Sequence, residues 1–364
     1  MVIRIALQCN EADAFLIMDQ DNPAPRLLSR PGEGIYNDAA GSIEGNSPFQ
    51  AVWLPEEVRD DYLTKIRERA DAIKFPGPFV FEGNAPADVL DNAILNNLLL
   101  SPPAKPPLRP RIWLGAPNSI KGPTEALFVR QSGSNLIIVG QSGERELTLL
   151  SVALVSLSAQ YPKDTVRFVL LDSAPPGFPE REFLDSVIRA LPHEVNHAGN
   201  SNLADTMNGL AEELKKRSAN ETTGAPEIFV LVHGLQNFKN LRQEDEFNFS
   251  SGGSGGTSPA VVLQNLISDG PAHGIHVIAS CDTYNNVNTY LGRKTLTGFE
   301  MRVLFQMSAS DSASLVDSPD AGTLGLHRAL FYNDREGYTE IFRPYARPGN
   351  GWIEDVGRSF KKHA

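Results

Sequence analysis

Cysteine is nearly missing from this 364-residue chain, with only Cys9 and Cys281 present. Two thiols so far apart in sequence exclude a disulfide scaffold and a cysteine-based zinc site, and they make a reducing, cytoplasmic compartment the expected location. Positive charge is also short. Lys and Arg number 33 against 44 Asp and Glu, a net charge of −11, which excludes a chain that coats nucleic acid over its whole surface but leaves room for a local basic lining. Long hydrophobic runs are absent as well. The longest mostly apolar stretch, "LTLLSVALVSLSA" (147–159), is too short and too rich in Ser and Thr to cross a bilayer and reads as a buried helix. "MVIRIALQCNEADAFLI" has polar residues throughout and no small-residue cleavage site, so it is no signal peptide. No direct membrane insertion by this segment is expected. What is present, 41% hydrophobic and 21% charged residues, is ordinary for a globular protein. The length asks for one large domain with additions, or for two.

The chain repeats itself. "RIALQCNEADAFLIMD" (4–19) and "RVLFQMSASDSASLVD" (302–317) align without a gap, pairing Arg4 with Arg302, Gln8 with Gln306, Asp13 with Asp311 and Asp19 with Asp317. The offset is 298 throughout, since 302 − 4 and 317 − 19 agree. "YND" at 36–38 recurs at 332–334, which makes the second copy two residues shorter there. Each copy reads as a strand, a short helix with an acidic start, a turn and a closing strand. The second copy ends a long α/β pattern and the first has nothing before it, so residues 1–52 are expected to be the C-terminal tail of a preceding module. Residues 53–106, with the charged helix "PEEVRDDYLTKIRERADAIK" and the proline-dense "SPPAKPPLRPR", read as a helical and Pro-rich linker. The main module is placed at 107–346, and 347–364, ending "SFKKHA", as a solvated basic tail.

Within the module, apolar strands alternate with helices. "SNLIIVG", "TVRFVLLD", "EIFVLVHG", "GIHVIASCD" and "EMRVLFQM" are the strands. Between them, "NSNLADTMNGLAEELKKRSAN" sets Leu203, Met207, Leu210 and Leu214 on one helical face. Strands this continuously apolar predict a mostly parallel sheet covered by helices on both faces. Ligands of such sheets bind beyond the carboxyl ends of the strands, which here carry Gly140, Asp172, His233 and Asp282.

Strand, glycine turn and helix in "NLIIVGQSGERELTLL" (136–151) are the setting of a phosphate loop, which needs G-x-x-x-x-G-K-[ST]. Together with "IFVLVHGLQNF" and "LISDGPAHGIHVIASCDTYNNVNTYLGRKTLTGFEMRVLFQMSASDSASLVDSP", this stretch resembles the FtsK/SpoIIIE family of ring-forming P-loop motors over roughly residues 107–346. The resemblance implies a RecA-like P-loop NTPase fold, ATP with magnesium, a hexameric ring, and movement of DNA or of secreted protein. It also implies partnership with other motor modules, because the related type VII secretion ATPases carry several on one chain.

The signature is degenerate here. Against the Walker A pattern, Gly140, Gln141, Ser142, Gly143 and Glu144 lead to Arg145 at the second glycine, Glu146 at the lysine and Leu147 at the hydroxyl. A carboxylate at the lysine position repels phosphate where a cation should neutralise it. Arg145 is one position off and cannot restore a glycine's backbone freedom. At Walker B, His233 and Gly234 stand where Asp should hold magnesium and Glu should polarise water; Glu244, Asp245 and Glu246 lie well into the next loop. No catalytic residue is assigned. The expected product is a non-hydrolysing ring-building or regulatory platform with weak or absent nucleotide binding. The alternatives are an active DNA translocase domain completed by neighbouring subunits and a purely structural adaptor.

Other features carry less. His233, His273 and His276 lack the carboxylate or cysteine spacing of a metal site, so no metal is expected. Arg293 and Arg302 are candidates for arginines offered to a neighbouring subunit, with a structural ion pair the equal alternative for Arg302 because Arg4 repeats it. The glycine-serine stretch 241–259 reads as a long loop facing the polymer or solvent. Gly140–Leu147 and His233 are expected on adjacent strands, leaving Arg145 to pair with Glu144, Glu146 or a neighbour's acidic group.

Overall fold

The computed structural model describes residues 2–75, 83–219, 225–243 and 258–363, and divides the chain into units 1–81 and 82–364. The Walker B-side carboxylates Glu244, Asp245 and Glu246 and most of the glycine-serine stretch lie outside the described residues.

In unit 1, β1 (Arg4–Leu7) leads to α1 (Glu11–Ile17), followed by β2 (Glu33–Asn37), β3 (Asn46–Gln50) and α2 (Glu56–Ala72). The strands form an antiparallel sheet in the order β1-β2-β3. Its core is small: Ala6, Met18 and Ile35, with Ala24 and Leu28 packed against them. No residue of α2 is buried, as expected of a helix that is charged on nearly every side.

In unit 2 the chain runs through α3 (Ala93–Leu100), β4 (Arg111–Pro117), β5 (Thr124–Leu127), β6 (Leu136–Val139), α4 (Gly143–Ser158), β7 (Val166–Asp172) and α5 (Pro179–Ala190). It continues through β8 (Val195–Ala198), α6 (Leu203–Ala219), β9 (Glu227–His233), α7 (Pro259–Ser268), β10 (Ile275–Cys281), α8 (Tyr284–Leu296), β11 (Met301–Leu304), α9 (Ala309–Val316), β12 (Ala329–Asn333), β13 (Tyr338–Pro344) and α10 (Asn350–His363). Among the described residues, ten strands make one sheet in the order β5-β4-β13-β12-β11-β6-β10-β9-β7-β8. From β11 to β8 all neighbours are parallel, and from β11 back to β5 they are antiparallel. The mostly parallel α/β class is as the strand pattern requires.

Both faces of the sheet are covered, which explains the unbroken apolar strands. Leu136 and Ile138 of β6 join a cluster with α4, whereas Ile137 and Val139 join the opposite cluster with α6, α7 and α8. Helix α4 is buried from Glu146 to Ser158 on all sides, so its "LTLLSVALVSLSA" is a core helix.

Two expected boundaries differ. The linker was expected to run to residue 106, but Ala87, Val89, Leu95 and Leu99 are buried in the same cluster as α4, and the Ala87 N–H donates to the Pro344 carbonyl at 3.1 Å. The proline-dense stretch is a loop from α3 to β4 inside unit 2. The expected basic tail is also a packed element: Trp352, Ile353, Val356 and Phe360 of α10 are buried beside Phe183, Leu184 and Val187 of α5. Their i, i+4 spacing is an apolar stripe that the terminal lysines obscure.

The repeat is visible in the two units' internal geometry. Arg4 donates to the Ile17 carbonyl at 3.1 Å, and Arg302 donates to the Leu315 carbonyl; 302 − 4 and 315 − 17 both give 298. Asn10 caps α1 through the Asp13 N–H, as Ser308 caps α9 through the Asp311 N–H, again with an offset of 298. The "YND" match is displaced by one residue, however. Ile5 pairs with Tyr36 while Val303 pairs with Phe331, so Tyr36 corresponds to Phe331 and not to Tyr332. Register follows which side chains face the core, and a slip of one residue would turn all of them over.

Candidate functional site

The site lies at the carboxyl edge of the parallel strands, where β6, β10, β9 and β7 end. Strand β10 separates β6 from β9, so the glycine turn and His233 are two strands apart, not on adjacent ones. The intervening strand supplies Ser280, which no sequence motif pointed to, and leads to Asp282, already expected at a strand end.

The turn is tight. The Gly140 N–H donates to the Cys281 carbonyl at 3.0 Å, and a Cβ at Gly140 would meet Phe305 Cβ at 2.5 Å. Helix α4 begins at Gly143, and the Ser142 carbonyl accepts from the N–H groups of both Arg145 (2.9 Å) and Glu146 (3.0 Å). Those two amides are spent on the first helical turn. A phosphate loop keeps such donors free to wrap a triphosphate.

Glu146 turns inward and is only 3% exposed. Burial pushes its carboxyl above the ordinary range. Hydrogen bonds from the Ser280 side chain and the Ser142 main chain, with the nearby His233, pull against that shift, and Asp282 adds to it. The carboxyl thus takes up donors at its own helix N-terminus, where a phosphate would otherwise lie. Leu147, at the magnesium-hydroxyl position, is fully buried in the core. Arg145 points the other way. It donates to the Leu326 carbonyl and lies over the Phe305 ring at 5.6 Å, in place of the expected pairing with Glu144 or Glu146 of its own chain. Gln141 and Glu144 are exposed.

At the end of β9, His233 Nδ1 is 2.9 Å from Asp172 Oδ1. The second oxygen of Asp172 faces His197 Nε2 and Arg181 Nη1, both at 3.6 Å, and Asp185 closes the group by pairing with His197 (3.4 Å) and Arg181 (3.2 Å). Burial alone would raise the Asp172 carboxyl, but the imidazoles of His197 and His233 and the Ala174 N–H together hold it well below the carboxylate range. His197, Arg181 and Asp185 escaped the sequence reading. Their only signal was an Asp ending an apolar strand, and their convergence on it is tertiary. Gly234 has φ +69° and gives its N–H to Ser280 Oγ at 2.9 Å, and a Cβ there would strike Asn237 Nδ2 at 2.4 Å. A magnesium-ligand Asp or a water-polarising Glu has no counterpart among these groups. The residues present do not fit magnesium-ATP: a carboxyl occupies the lysine position, a buried leucine the hydroxyl position and a histidine the metal-ligand position.

The remaining candidates are dispersed. His276 is buried in an aromatic cage between Phe128 (5.3 Å) and Phe229 (5.4 Å), with Nδ1 at 2.8 Å from the Ser134 carbonyl. His273 and His276 belong to the amino end of β10, whereas His233 ends the parallel β9, so the three imidazoles do not meet. Arg302 spends its guanidinium on the carbonyls of Phe299, Leu315 and Leu296 and lies over Tyr332 at 5.7 Å. Arg293 is exposed in the last turn of α8. No helix among the described residues is long and apolar enough to cross a membrane.

Neither a protein-family profile nor a curated protein sequence matches the chain. Solved structures do match in fold. The cytoplasmic domain of the type VII secretion ATPase EccC from Thermomonospora curvata superposes with a TM-score of 0.54 at 16% identity, over 99% of this chain and 43% of that one. ATPases 2 and 3 of the same EccC, in complex with a signal sequence peptide, give 0.52 at 14% identity, over 78% and 52%. The pCW3 conjugation coupling protein TcpA with ATPγS gives 0.52 at 12% identity, over 93% and 92%. This chain spans about half of the EccC structures it matches. The chain shares its fold with these EccC and TcpA structures.

Proposed function

We propose that unit 2 is a nucleotide-binding-fold module of an ATP-dependent translocase of DNA or protein, retained as a ring-building or regulatory platform and not as a hydrolase. The observation that carries this reading is the Glu146 carboxyl, buried at the lysine position and held by Ser142 and Ser280. The loss at His233 and Gly234 supports it independently, because Asp172 holds the imidazole that replaces the magnesium ligand. Residues 1–52 are the closing strands and helix of a second such module, a reading supported by the arginine-to-carbonyl bond and the helix cap that recur at an offset of 298. The whole protein works in the cytoplasm alongside other motor modules, in a hexameric ring. Calorimetry and phosphate release with magnesium-ATP on the intact chain test the reading. No hydrolysis and at best weak binding are expected, whereas a dissociation constant in the low micromolar range would favour an active translocase completed by its neighbours.

A further inference from the structure

The sheet of unit 1 has one covered face and one bare face. Ala6 and Ile35 face α1 with Met18, but on the opposite side Ile3, Ile5 and Leu7 are 57%, 62% and 57% exposed, with Tyr36 and Phe49 beside them. The corresponding positions of unit 2, at the offset of 298, are Met301, Val303 and Phe305, exposed by 3%, 0% and 2%. They are sealed by β6, which pairs parallel with β11, and by the core helix α4. Strand β1 pairs only with β2 among the described residues, so the edge that β11 gives to β6 is open. An apolar face next to an unpaired strand edge is a template for β-addition, and soluble proteins cover such surfaces.

We propose that the open edge of β1 and the face of Ile3, Ile5 and Leu7 bind the strand–turn–helix half of an α/β module: an apolar strand parallel to β1, a glycine turn, and a helix laid across the three aliphatic side chains. This rests on the reading of residues 1–52 as closing elements. The partner is not a second copy of this chain, because in each copy β6 is already bounded by β10 and β11 and α4 is already enclosed.

A photo-crosslinking benzoylphenylalanine in place of Leu7, introduced into the intact protein in its native cells, tests the surface. Leu108, 98% exposed in unit 2, serves as the control position. The expected product maps by mass spectrometry to the helix after a glycine turn of an α/β module, and Ile5→Asp lowers its yield at least about tenfold, as removal of a buried aliphatic contact should. A crosslink to a second copy, to any other kind of surface, or none above the Leu108 control overturns the proposal. Hydrogen exchange separates this from failure of the underlying reading. The Met18 amide, bonded to the Ala14 carbonyl, should be protected and released by Arg4→Ala. If it is protected while Leu7 captures nothing, the docking proposal alone falls.

Discussion

His233 and Asp172 end neighbouring parallel strands and meet through Nδ1 and Oδ1 at 2.9 Å, with the carboxylate wholly enclosed. In a working motor of this fold, the end of β9 would present a carboxylate to magnesium. Here the carboxylate sits one strand over, on β7, and is already committed to imidazoles.

That commitment has a pH signature. The Asp172 carboxyl is depressed, so its stabilisation is full above the ordinary carboxylate range and is lost as pH falls through the folded-state value. Asp172→Asn should cost about 2–3 kcal/mol at neutral pH, the order expected when a buried charged hydrogen-bond acceptor is lost. Thermal melts should show the gap to wild type closing in acid; a gap independent of pH would refute the assignment.

Glu146 has the opposite sign. Its carboxyl is raised by burial, so the stability linked to its proton is present below the ordinary carboxylate range and declines as pH rises through the folded-state value. Glu146→Gln keeps the shape without the charge. The variant should gain on wild type as pH rises above the ordinary carboxylate range, measured by denaturant midpoints at fixed ionic strength.

Restoring the loop alone should restore only binding. Glu146→Lys with Leu147→Ser should tighten magnesium-ATP binding in calorimetry without phosphate release, because His233 and Gly234 are unchanged. The serine replaces a fully buried leucine, so the double variant should lose about 2–4 kcal/mol of stability. Hydrolysis by this variant would show that the second carboxylate comes from elsewhere.

Arg302 reads as a structural clamp because three carbonyls of its own chain receive its guanidinium. Arg302→Ala should destabilise the isolated protein by about 2–3 kcal/mol, and Arg302→Lys should recover little, since an ammonium cannot span the three acceptors. An arginine kept for a neighbouring subunit would instead leave the melting temperature of the lone chain untouched.

Helix α10 gives a fifth test. Trp352→Ala should cost about 3–4 kcal/mol, as large-to-small changes in a packed core do. A solvated tail would tolerate the change.

Much of this protein is legible in its residues. The unbroken apolar runs of β6, β9 and β10 determine a two-sided parallel sheet, because only strands covered on both faces can be apolar at every position. Glu146, Leu147, His233 and Gly234 depart, by residue type and spacing alone, from the pattern that a phosphate loop and its magnesium-holding strand need. The 298-residue offset marks the repeat. Tertiary structure decided the rest. Strand order put β10 between the two motifs and so brought Ser280 to Glu146; sequence spacing carries no information about which strands become neighbours. The pairing of Asp172 with His197 and His233 joins residues from three strands, and the one-residue register of β2 and β12 follows from which side chains reach a core. Likewise, Ile3, Ile5 and Leu7 are as apolar as Met301, Val303 and Phe305. Whether such a strand is buried depends on the β6 and α4 laid beside it, and that partner is not encoded in the strand itself.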